Sequence, residues 1–190
     1  MIINGKERGF RYNVWASGKI AKLTTTGEIK AVMNDLQNDV RAAELVPQMA
    51  LIMNTAFERH KQLKAIARGE EYATDILTIA EIDDLTLKES TDLMEEIFRT
   101  MRTDSTGEIE TEPVKTEKKN KSGRKGNGIT LNTEWFLFFG RKLGMQKTEI
   151  MDLKYGEMMD MINCMTIYNG GAKQKAKRRR LSYDDAISLR

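Results

Sequence analysis

Residues 47–69 read PQMALIMNTAFERHKQLKAIARG, and their apolar side chains recur along one face at helical spacing. The members of that face are Met49, Ile52, Met53, Ala56, Phe57 and Leu63. Pro47 suits the first turn of a helix, and Gly69 suits the position just after a helix ends. We therefore predict that this segment forms the longest helix of the protein.

Helical patterns also lie on both sides of this segment. Before it, Thr25 and Glu28 have the spacing of a capping box and lead into one apolar stripe. Its members are Ile29, Val32, Met33, Leu36 and Val40. After it, the capping-box pairs Thr78 with Glu81 and Thr86 with Glu89 precede a second stripe, made of Leu93, Met94, Ile97, Phe98 and Met101. Together these stripes predict a helical core.

The N-terminal residues show a different period. Phe10, Tyr12 and Val14 alternate with polar residues, as they would in a half-buried strand. Asn4-Gly5 tolerates the positive φ angles of a tight turn, which favours a short β-hairpin. Residues 1–102 are therefore predicted to form a mainly α module that begins with this hairpin.

Residues 103–130 read TDSTGEIETEPVKTEKKNKSGRKGNGIT and hold almost no large apolar side chain that could be buried. This composition is typical of a flexible linker. A small helical module is predicted after it, at residues 131–172, with helices at Thr133–Leu143, Thr148–Leu153 and Gly156–Tyr168. Residues 173–190 are predicted to be a basic tail that could end in a short helix.

Composition excludes several classes of protein. The 190-residue chain has 31 Lys and Arg against 28 Asp and Glu, and a net charge of +3 does not by itself indicate nucleic-acid binding. The single cysteine, Cys164, excludes an internal disulfide, and the N-terminus resembles no export leader. No apolar run approaches the roughly 20 residues that span a bilayer. We expect a cytoplasmic protein without a membrane segment.

The residues that could carry catalysis lack partners. His60 is the only histidine and follows Phe57 on an apolar helix face, where a packing role is expected. Cys164 lies between Met161 and Met165, where cysteine usually behaves as a small apolar side chain. The glycines of residues 123–128 lack the Gly-Lys-Ser/Thr order of a phosphate-binding loop. We therefore predict no enzyme activity and no catalytic, cofactor-binding or metal-binding residues.

Two features of residues 131–172 favour binding to another protein. Residues 135–139 read WFLFF and would surround a helix with apolar surface, more than a small module can bury. Six of the 12 methionines also lie here, and methionine suits both irregular cores and adaptable binding surfaces. Packing in the protein core is the alternative explanation for these six methionines. The predicted partner-binding residues are Trp135, Phe136, Phe139, Tyr155, Met158, Met161 and Met165.

The basic tail leaves an alternative function open. Lys173, Lys175, Lys177 and residues 178–180 (RRR) could contact phosphate without sequence preference. A solvated tail, or contact with an acidic protein, is the interpretation we favour. The alternative is a small nucleic-acid-binding regulatory protein that acts through this tail. Because the first module has more acidic than basic residues, nucleic-acid binding is the weaker hypothesis.

Two segments resemble a known family. Residues 148–171, TEIMDLKYGEMMDMINCMTIYNGG, closely resemble the second module of tail assembly chaperones from long-tailed phages of Gram-positive hosts. Residues 3–23, INGKERGFRYNVWASGKIAKL, are similar to the hairpin and helix that open the same proteins. The resemblance is weak between Glu28 and Arg102, and the long linker and arginine-rich tail depart from the family pattern.

The resemblance implies a function without catalysis. The first module would associate with the tape measure protein, in many copies along it, and the second would recruit major tail tube subunits. The chain would correspond to the long form that such chaperones produce by programmed ribosomal frameshifting. It would act in the host cell cytoplasm and be absent from the mature virion.

Overall fold

The computed structural model describes residues 1–113 and 132–175, and it confirms that the protein is mainly α-helical. Eight helices and two short two-stranded sheets lie within those residues. In chain order the elements are β1 (Ile2–Ile3), β2 (Lys6–Glu7), α1 (Val14–Ala21), α2 (Ile29–Asp35), α3 (Asp39–Ala67), α4 (Ile79–Asp83), α5 (Leu87–Ser105), β3 (Thr111–Pro113), α6 (Thr133–Lys142), α7 (Lys147–Asp152), α8 (Tyr155–Tyr168) and β4 (Ala172–Gln174).

The N-terminal hairpin is present, with β1 and β2 paired in antiparallel register. Asn4 and Gly5 connect the strands with φ angles of 48° and 73°, which is the left-handed geometry of a tight hairpin turn. The predicted strand over Phe10–Val14 is wrong. Phe10, Tyr12 and Val14 are buried, but so is Asn13, which caps a helix by accepting a hydrogen bond from the Ala16 amide at 2.8 Å. Helix α1 therefore begins at Val14.

The stripe predicted over Ile29–Val40 is divided between two helices. Helix α2 ends at Asp35, and the Asn38 side chain caps α3 by accepting from the amides of Val40 and Arg41. Val40 is consequently exposed at the start of α3. The capping box predicted from Thr25 does not form, because Glu28 occupies the N-cap of α2.

Helix α3 is the longest helix of the described residues, with 29 residues, as predicted. It begins at Asp39 rather than at Pro47, so the proline lies inside the helix. Gly69 has a φ angle of 72° just beyond its end, in the left-handed conformation that terminates helices. Both capping boxes predicted downstream, at the starts of α4 and α5, are formed.

The main hydrophobic core joins the hairpin and helices α1 to α5. Arg8 is buried beside it and forms ion pairs with Asp75 and Glu81. Partial burial would raise the pKa of Glu81, but hydrogen bonds from Arg8 and Thr78 outweigh it and lower that pKa. Arg8 thus ties the hairpin to the segment that leads into α4.

The predicted linker differs from the structure at its beginning. Helix α5 continues to Ser105, and β3 pairs with β4 in antiparallel register, so residues 103–113 are part of the fold. The same pairing places Lys173 in a strand rather than in a free tail. Residues 114–130 of the predicted linker and residues 176–190 of the predicted tail lie outside the described residues. Among the helices that are described, none is long and apolar enough to cross a membrane.

Candidate partner-binding site

Helices α6, α7 and α8 pack directly against the N-terminal part of the chain. Val14 of α1 shares a small second core with Phe136, Ile150 and Met158. The Val14 amide donates to the Leu153 carbonyl at 3.0 Å, and the Tyr155 amide donates to the Tyr12 carbonyl at 3.3 Å. The two predicted modules are therefore in contact through both apolar packing and backbone hydrogen bonds.

Asp104 is the polar centre of this contact. One of its carboxylate oxygens accepts from the Tyr12 amide at 2.9 Å, and the other pairs with Lys154 Nζ at 2.7 Å. Asp104 is 6% exposed, so its carboxylate is largely shielded from water, whereas the Lys154 side chain is 38% exposed. A buried carboxylate that bridges α5, the Tyr12 segment and the start of α8 holds three parts of the chain together.

A second carboxylate, Asp152 of α7, reaches across to α3. Its side chain lies 2.7 Å from the Nδ1 atom of His60, and its carbonyl accepts from Arg11 at 2.8 Å. His60 is partly buried and paired, which agrees with the structural role expected for it. In this position it orients α7 against α3.

Helix α8 packs closely on the chain that follows α5. Asp160 accepts from the amides of Glu108 and Ile109 at 2.7 and 2.9 Å. A Cβ atom at Gly156 would lie 2.5 Å from the Thr106 carbonyl oxygen, so only glycine permits this approach. These contacts explain why residues 106–109 are ordered despite a composition typical of a linker.

Helix α6 presents two different aromatic surfaces. Phe136 is 2% exposed and lies edge-on to Tyr155, with ring centroids 5.5 Å apart. It anchors α6 to the second core together with Met158, which is fully buried. Phe136 and Met158 are buried in the second core, whereas the sequence predicts that they contact a partner. Because the Phe136 ring is buried, this side of α6 attaches the helix to the rest of the protein.

Three further aromatic rings of α6 are in mutual contact: Trp135, Phe138 and Phe139, of which Phe139 also packs against the second core. We refer to these residues as the aromatic face. The Trp135 ring lies 5.6 Å from Phe138 and 5.7 Å from Phe139, and the two phenylalanines are 5.6 Å apart. Phe138 is 47% exposed, and Trp135 and Phe139 are partly exposed. A cluster of exposed aromatic rings is typical of a protein-binding surface.

The remaining predicted site residues lie elsewhere. Tyr155 is partly buried between the two cores, where burial raises the pKa of its hydroxyl. Met161 and Met165 are partly exposed on α8 and lie outside both core clusters. Phe138 was not predicted as a site residue, although its spacing of three residues from Trp135 is the signal that could have identified it.

The polar residues considered for catalysis are dispersed. Cys164 is exposed, which corrects the apolar environment expected for it. In residues 1–113 and 132–175, no group of three or more His, Cys, Asp or Glu side chains is placed to hold a metal ion. The aromatic face is therefore the strongest candidate site in the part of the chain that the structure describes.

No protein-family model, no curated protein and no solved structure matches the chain.

Proposed function

We propose that the protein is a non-enzymatic assembly chaperone of the long-tailed-phage type. Its N-terminal helices would coat the tape measure protein, and α6 would recruit major tail tube subunits through the aromatic face. The observation that carries this proposal is the partly exposed, mutually packed cluster of Trp135, Phe138 and Phe139. The resemblance of residues 3–23 and 148–171 to such chaperones supports the same function.

The geometry of α6 suits a recruiting surface for a physical reason. Binding energy concentrates in a few large side chains, most often aromatic ones, that lose their water on association. Because Phe136 and Phe139 pack in or against the second core, the rings of the aromatic face are held in place before a partner arrives. Little conformational freedom would then be lost on binding.

A surface suited to the tape measure protein lies between α2 and α5. A groove there has a volume of about 790 Å³ and includes the apolar side chains of Ile29, Met33 and Phe98. Apolar grooves of this kind accept the apolar face of a helix. Many copies bound along one long helical protein would bring their aromatic faces close together and raise the effective concentration of recruiting sites.

The proposal places the protein in the host cell cytoplasm, during tail assembly and not in the finished virion. The chain would be the long, frameshift-derived form, because it contains both the N-terminal helices and α6 to α8. Self-association along the tape measure protein would be part of its action. Tape measure protein and tube subunit are its proposed partners.

The aromatic face is tested by the double substitution Trp135→Ala, Phe138→Ala. We expect it to weaken capture of purified tail tube subunits by at least about tenfold, since each exposed aromatic anchor commonly contributes about 2 kcal/mol. Capture is measured by pull-down or biolayer interferometry with the full-length chain. Circular dichroism is recorded in parallel to confirm that the helices remain.

Tyr168→Ala is the matched control, because it removes an aromatic ring that is 90% exposed at the end of α8. It is expected to leave capture unchanged. Equal capture by the folded double variant and by this control would contradict recruitment through α6.

A further inference from the structure

A second concave surface lies between α1, α3 and α7, away from the aromatic face. This groove has a volume of about 480 Å³. Its apolar lining includes Trp15 from α1, Leu63 from α3 and Met151 from α7. Leu63 is 40% exposed, and Ile66, one turn further along α3, is 63% exposed. The apolar surface therefore continues along α3 beyond the groove.

The rim of this groove is positively charged. The Arg59 guanidinium lies 5.0 Å from the centre of the Trp15 ring, and Lys19 Nζ lies 5.8 Å from it. Lys147, at the start of α7, lines the opposite side. Within the described residues, none of these three cations forms an ion pair with a carboxylate. Their charge is available to a ligand.

In the part of the chain that the structure describes, the lining of the groove offers no unpaired carboxylate that would offset the charge of Arg59, Lys19 and Lys147. Among the described residues that line the groove, Asp152 is the sole acid, and it is already paired with His60 and lies 3.8 Å from Arg11 Nε. The α1 and α3 walls come from acid-free segments of sequence, whereas α7 contains Glu149 and Asp152. Residues 8–27 and residues 59–68 contain no Asp or Glu, although acids make up 28 of the 190 residues. The groove is therefore basic on two sides and apolar between them.

We propose that this groove binds an acidic amphipathic helix from a partner protein. The apolar side chains of such a helix, spaced three and four residues apart, would cover Leu63 and Met151, beside the Trp15 ring. Its flanking carboxylates would lie against Arg59, Lys19 and Lys147, which sets orientation and discriminates against basic helices. This site goes beyond the proposed recruitment of tube subunits and does not depend on it.

A nucleic acid fits the same groove less well. Single-stranded nucleic acids bind by stacking bases on exposed aromatic rings. Trp15 is the aromatic ring of this lining, and Arg59 and Lys19 already lie over it. The exposed aliphatic side chains of Leu63 and Ile66 would also remain uncovered by a phosphate backbone. The positive rim and the exposed aliphatic side chains therefore favour an acidic amphipathic helix over a nucleic acid as the ligand of this groove.

The test uses the full chain carrying Trp135→Phe, which leaves Trp15 as its single tryptophan. The probe is a synthetic amphipathic peptide with Leu on one face and Glu on the flanks. Its comparison is the same peptide with Lys in place of Glu, and oligo-dT serves as the nucleic-acid probe. We expect the Glu peptide alone to change the Trp15 fluorescence saturably.

The groove itself is tested by the double reversal Arg59→Glu, Lys147→Glu in the same background. We expect affinity for the Glu peptide to fall at least about tenfold, because attraction at the rim becomes repulsion. The control reversal Lys88→Glu, Lys173→Glu changes the net charge equally at exposed positions on α5 and β4 and should preserve binding. Equal binding of the Lys and Glu peptides, binding of oligo-dT alone, or an unchanged affinity in the folded double reversal would overturn the proposal.

Discussion

Phe136→Ala is expected to lower the free energy of unfolding by about 3–5 kcal/mol, the cost typical of removing a buried aromatic ring. The ring fills the second core against Val14, Ile150 and Met158, and its loss leaves a cavity where α6 joins the rest of the protein. The same substitution at Phe138 should cost less than about 1 kcal/mol, because that ring is half exposed.

The two variants form a matched pair, since they remove the same side chain two residues apart on one helix. Urea unfolding followed by circular dichroism measures both free energies, and the difference between them is the decisive quantity. Similar losses in the two variants would show that α6 does not have one buried and one exposed aromatic side.

Asp104→Ala is expected to lower the free energy of unfolding by about 3 kcal/mol. The substitution leaves Lys154 without its partner and the buried Tyr12 amide without an acceptor. Because Asp104 connects α5 with the start of α8, we also expect the α6–α8 region to become more sensitive to proteolysis than α3.

The control for this variant is Arg99→Ala, which breaks an exposed ion pair with Glu96 on the same helix. Exposed pairs contribute little to stability, so this substitution should leave unfolding essentially unchanged. Urea unfolding of both variants, with limited trypsin digestion in parallel, provides the comparison. If Asp104→Ala behaves like Arg99→Ala, the contact between the N-terminal helices and α8 is not the one described.

Local signals in the sequence predicted much of the helical fold. The pairs Thr78 with Glu81 and Thr86 with Glu89 form the capping boxes expected of them, and Gly69 ends α3 in the left-handed conformation. Each of these signals depends on residues within one helical turn. Capping residues and helix-ending glycines can therefore be predicted from the local sequence alone.

Features that depend on distant residues were not predicted. Asp104 was assigned to a linker by composition, yet it is held by Tyr12 and Lys154, which are far from it in sequence. Val14 was assigned to a strand, although Asn13 starts a helix there. The composition of residues 103–130 does not show that the Asp104 carboxylate accepts a hydrogen bond from the distant Tyr12 amide.

The sequence indicates α6 as a candidate site but not which of its rings face outward. Residues 135–139 are too apolar to be covered by a small module, and the Phe138 ring of α6 is 47% exposed. Sequence alone could not establish that Phe136 faces α1 while Phe138 faces outward. That choice depends on how α6 packs against Val14 and Tyr155, which is a tertiary property.

We propose that the protein acts as an assembly chaperone that joins a tape measure protein to tail tube subunits. The most direct measurement is affinity purification of the tagged full-length chain from phage-infected cells, with the bound proteins quantified by mass spectrometry. We expect the tape measure protein and the major tube protein both to be enriched, and only the tube protein to be lost with Trp135→Ala, Phe138→Ala. Enrichment of neither protein, or recovery of nucleic acid in their place, would contradict it.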